Sequence, residues 1–121
     1  MTIHNDIISS SPALLYTHMH ATDQELRSRL NAETAKLAWK ELERHFARGV
    51  VIKVVEELDL IEIATSMAKD DKEAIEQLVR AGKISRTSMD DAEDWNTRAA
   101  VFWAVVVAPW VLVQETTLPV S

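Results

Sequence analysis

The chain has 121 residues, no cysteine, two glycines, three prolines and 47% hydrophobic residues. That length suits one domain with a core of its own, and the lack of thiols excludes disulfides and thiolate metal sites while remaining compatible with a cytoplasmic setting. A formal charge of -6 argues against a general binder of the phosphate backbone, which is normally basic.

Residues 1–21 read as a poorly ordered N-terminal arm. Ser9-Ser10-Ser11-Pro12 is a loop signal. Ile7-Ile8 is too short for a signal-peptide core, and no Lys or Arg precedes it. A single globular domain is expected over 22–116, followed by a frayed tail at 117–121.

The domain opens with a capping box, Thr22-Asp23-Gln24-Glu25, which starts a helix. Leu26, Leu30 and Leu37 share one face at helical spacing, whereas Ala38, Leu42 and Phe46 lie on another. The pattern predicts a helix bent near Trp39, or two helices meeting there. His45 and Arg48 followed by Gly49 close it. Val50–Val55 is a strand whose one charge is Lys53. Asp59 then caps a helix, with Glu62 at the answering position, and Asp70-Asp71-Lys72-Glu73 repeats that signal for a second helix ending at Gly82. Lys83–Thr87 is a short polar strand, and Ser88 with Asp91 starts a short helix that turns Ala92 and Trp95 inward.

The run from Ala99 to Val113 carries no charged residue and six valines, and the rest of the fold must cover it. As a helix it spans only about 22 Å, short of a bilayer core of ~30 Å, and Pro109 interrupts it. A buried strand over 101–113 is expected, covered on both faces, with a bulge or a strand end near Pro109. Val106 is expected to be buried. The predicted architecture is α+β: a small, mostly antiparallel sheet with strands near 50–55, 83–87 and 101–113, packed with four to five helices. A winged-helix arrangement is the alternative topology.

Glu33 to Leu42, Phe46 to Gly49 and Trp103 to Gln114, with Asp59-Leu60 and Lys69 to Lys72 between them, resemble a bacterial family of short proteins known only as a domain of unknown function. The resemblance covers about residues 24–115. It implies a bacterial origin and a single small domain, and it carries over no activity, ligand or catalytic residue.

Several groupings invite a functional reading. Lys36, Lys40, Arg44 and Arg48 recur every fourth residue, which on a continuous helix makes a basic stripe for an anionic partner, or else a solvated face balanced by Glu33, Glu41 and Glu43. Residues 24–55 hold seven Lys/Arg against four Asp/Glu, a net of +3, and residues 56–94 hold five against twelve, a net of -7. Such polarity can steer one protomer toward another. Asp70, Asp71 and Glu73 lack the spacing of a calcium loop, and His18 and His20 have no third ligand in sight. No catalytic, cofactor-binding or metal-binding residue is assigned, and no cofactor is expected.

The leading expectation is a non-enzymatic cytoplasmic interaction module that self-associates as a homodimer, with Trp103, Val105, Val107 and Trp110 as the contact residues. Its basis is that an apolar strand needs two covers, which a short chain must find in a symmetry mate if its own helices do not suffice. A winged-helix-like regulator or nucleic-acid binder is the alternative. Its reading helix would be net negative, the wrong sign for DNA. A small ligand-binding domain or enzyme comes third. No membrane span is expected.

Overall fold

A computed structural model describes residues 22–116 of the chain. The arm, its histidines and the tail lie outside the described residues. The capping box at Thr22 forms as expected: Thr22 Oγ1 accepts from the Glu25 amide at 3.1 Å and Glu25 accepts from the Thr22 amide at 2.9 Å. It starts α1, Asp23–Glu33. There the expected continuous helix stops. Thr34 adopts extended backbone and donates its hydroxyl hydrogen to Leu30 O at 2.8 Å. Ala35–Ala38 form a strand, β1, before α2, Trp39–Ala47. Neither a bend nor a direct helix junction joins the two helices. Ala35-Lys36-Leu37-Ala38 is a set of good helix formers, so the sheet edge on which they pair overrides their local preference.

β2, Val51–Val54, follows a Gly49 turn with φ +74°. Asp59 then caps α3, Leu60–Ala68, by accepting from the Ile61 and Glu62 amides. The Glu62 carboxylate does not close a capping box; it takes both arms of Arg27 from α1, at 2.6 and 2.7 Å. α4, Lys72–Arg80, is capped by Asp71 rather than Asp70. Asp70 takes the left-handed position that closes α3, with φ +58°, as its amide reaches Met67 O and that of Asp71 reaches Ser66 O. β3 is Ile84–Arg86, and α5, Met89–Arg98, starts at the Ser88–Asp91 capping box.

The apolar run is two strands rather than one. β4, Val101–Val107, and β5, Trp110–Glu115, form an antiparallel hairpin closed by Ala108-Pro109, whose peptide bond is cis. The expected strand end at Pro109 is present, and the chain reverses there. The reversal puts Trp103 and Trp110 on the same face of the sheet, since Trp110 pairs with Val107, four residues along the strand from Trp103.

The five strands are ordered β1-β4-β5-β2-β3. Three of the pairings are antiparallel, and β2 pairs with β5 in parallel. The fold is α+β with a mixed sheet. Both faces are covered from within the chain. Leu26 and Leu30 of α1, Ile63 and Met67 of α3 and Ile75 of α4 pack on Ile52, Val105, Val107, Trp110 and Leu112. On the other face, Trp39 and Leu42 of α2 and Ala92 and Trp95 of α5 pack on Val51, Phe102, Ala104, Val111 and Val113. This second layer is aromatic: Phe46, Trp39, Trp95 and Phe102 touch in succession, with centroid separations of 5.7, 5.8 and 4.6 Å. Helices on both faces of a five-stranded sheet give no support to the winged-helix alternative. No helix among the described residues is long and apolar enough to cross a membrane.

Candidate functional site

Three places on this framework gather polar or apolar groups that packing alone does not require. The first lies at the carboxyl ends of the parallel pair β2 and β5, where open sheets commonly bind ligands. Lys53 Nζ donates to Asp91 at 2.8 Å, and Arg98 bridges Asp94, four residues before it, to Glu115 at the end of β5. Partial burial of Asp91 pushes its pKa up, but hydrogen bonds from Lys53 and Ser88 outweigh this and hold the carboxyl below its ordinary value. Asp94 is lowered by its bond from Arg98, and Arg98 is raised by its two carboxylates. These charges satisfy one another and tie α5 to the sheet. Among the described residues no group of three or more metal-ligating side chains is placed to hold an ion.

The second place is a cleft of about 330 Å3 on the α1–α3 side of the sheet. Its floor is Trp103 and Gln114, which are register partners across β4 and β5. Asn31 and Thr34, at the end of α1, form one wall. Leu60 and Ile61, with the cap residue Asp59, form the other. Gln114 Nε2 donates to Val55 O at 2.8 Å and to Leu58 O at 2.6 Å, which fixes the loop leading into α3. Sequence reasoning missed this cleft because Gln114 meets Trp103 only if the chain turns back at Ala108-Pro109. A two-residue turn between apolar runs was the available signal.

The third place is the open edge of the sheet. β1 is four residues long and covers only Val101–Ala104 of β4, so the outward edge of Val105–Val107 has no strand partner among the described residues. Val106 lies at the middle of that step and is 56% exposed, contrary to the buried position expected for it.

The residues singled out from the sequence fall as follows. The recurrence of Lys36, Lys40, Arg44 and Arg48 does not make one stripe. Lys36 is on β1, paired with Trp103, and its Nζ sits 5.2 Å from that indole ring. Lys40 and Arg44 are on α2, against the opposite face, and Arg48 is the C-cap residue of that helix. Of the four expected contact residues, Val105, Val107 and Trp110 are buried in the chain's own core, and Trp103 is 38% exposed. The first three are thereby removed from any surface. Trp39 and Trp95 are also core residues, leaving Trp103 as the one accessible indole of the four.

No curated protein matches the chain. A solved structure described as "NMR solution structure of PA1075 from Pseudomonas Aeruginosa" is similar, with 39% identity and a TM-score of 0.69 over 86% of this chain and 96% of that one. The family described as "Protein of unknown function (DUF2288)" matches residues 25–115.

Proposed function

This chain belongs to the DUF2288 family, and we propose that it acts as a non-enzymatic cytoplasmic interaction module that self-associates through the step in its sheet edge. The observation that carries the reading is Val106: an apolar side chain exposed on a strand whose backbone edge is also unpaired by any described strand. Unpaired edges template further pairing unless charge or covering segments block it. Lys36 places a charge on β1, and Val105–Val107 carries none. Antiparallel pairing of this segment with its copy brings Val106 near its own twofold mate, the isologous geometry commonest among homodimers.

The original reason for expecting self-association, a sheet face lacking cover, does not apply, because α2 and α5 supply that cover. The contact surface therefore shifts from Val105, Val107 and Trp110 to Val106. Light scattering at tens of micromolar is expected to give twice the chain mass of 13.6 kDa. Val106→Lys is expected to return the chain to a folded monomer that loses only the concentration-dependent part of its melting temperature. A strict wild-type monomer, or a dimer that survives the substitution, refutes the proposal.

A further inference from the structure

The cleft above Trp103 has a chemical bias that follows from which hydrogen-bonding capacity is already used. Gln114 commits its amide nitrogen to Val55 O and Leu58 O, so its free group is the carbonyl Oε1. Asp59 uses Oδ1 to cap α3, and no described residue bonds Oδ2. Thr34 donates its one hydroxyl hydrogen to Leu30 O and retains lone pairs. α1 ends at this wall and turns the negative pole of its dipole toward it. Gln114, Asp59 and Thr34 thus offer acceptors, Asn31 on the same wall offers an amide donor as well as an acceptor, and these groups border the Trp103 indole.

Charge points the same way. Of the four carboxylates in residues 56–62, Asp59 lines the cleft, while Glu62 is paired with Arg27 and Glu57 lies 4.0 Å from Lys83. The Trp103 ring already holds one cation, Lys36, which reaches it from β1; Gln114 flanks it from β5, on the cleft side. Carboxylate, carbonyl and π-face together attract a donor-bearing cation and repel an anion. A cavity of this size suits a small ring rather than a peptide.

We infer that this cleft binds a small organic cation, an amidinium, guanidinium or ammonium group on a flat apolar body. The body stacks on Trp103 and the charged donors meet Asp59 and Gln114. Lys36 sets a limit on affinity, because it places a like charge near the bound cation.

The test uses three probes of one shape: benzamidinium, neutral benzamide and anionic benzoate, titrated into the full chain and followed by NMR. Benzamidinium is expected to shift the Trp103 indole N–H and the Gln114 side-chain amide saturably, at least tenfold more tightly than benzamide, while benzoate leaves both unmoved. Asp59→Asn keeps an equally good helix cap, so it is expected to abolish the preference for the cation without lowering the melting temperature. Lys36→Gln is expected to tighten benzamidinium binding. Equal affinity for benzamide, an unaltered affinity in Asp59→Asn, or no saturable shift by about 10 mM probe overturns the inference.

Discussion

Replacing Phe102 tests whether the second face of the sheet is closed by the chain itself. Phe102 is fully buried on β4, and its ring meets that of Trp95 edge-on, 4.6 Å between centroids and at 70°. Truncation of a buried Phe to Ala typically costs about 3–5 kcal/mol, the transfer term plus the void left behind. Against a total stability of about 5–15 kcal/mol for a domain, that is a large share. Phe102→Leu keeps most of the apolar volume and loses the ring pair, so about 1–2 kcal/mol is expected. A double-mutant cycle with Trp95→Leu isolates the ring contact, with a coupling of about 0.5–1.5 kcal/mol. Urea unfolding followed by far-UV circular dichroism is the assay, because it does not depend on the indoles. Val106→Ala, measured at protein concentrations low enough to keep the chain monomeric, is the control: it sits on the same strand and the same face, past the reach of the helices, and is expected to change stability by less than about 0.5 kcal/mol. A loss below about 1 kcal/mol for Phe102→Ala, or a Val106→Ala loss of similar size to it, refutes the two-layer account.

Ala99 closes α5 in the left-handed conformation, with φ +52°. A Cβ there costs roughly 1–2 kcal/mol, part of which glycine gives back through its freer unfolded chain. Ala99→Gly is therefore expected to raise stability by about 0.5–1 kcal/mol in the same urea assay, and a loss would refute the strain. Asp91 has its pKa lowered in the folded chain. Its contribution is thus present above the unfolded carboxyl value of about 3.9 and is lost as pH falls through the lower folded value. Asp91→Asn is expected to lower the urea midpoint at neutral pH and to converge on the wild type in strong acid; parallel pH profiles would refute the linkage.

Much of the local chemistry was legible. The Thr22, Asp59 and Ser88 caps, the two glycine stops and the need to cover the valine-rich run on both sides all follow from residue type and spacing. The resemblance read over 24–115 agrees with the family matched over 25–115. Two features escaped for physical reasons. Ala35–Ala38 is a strand only because Val101–Ala104 offers an edge, a contact sixty-odd residues away that no window of helix formers reveals. The hairpin was hidden because residues flanking Pro109 are apolar on both sides, so one long strand and two short ones share the same composition. That single misreading concealed the Trp103–Gln114 floor of the cleft and misplaced Val106.

β5 is the last described strand to emerge from the ribosome, yet it lies at the centre of the sheet. Before it arrives, β1 can pair only with β4 and β2 only with β3, two separate ribbons with no strand in common. The two halves can therefore be joined only once Trp110–Glu115 has been made. A frameshift or premature stop upstream of Trp110 leaves fragments with exposed apolar edges, which suits them to disposal rather than partial function.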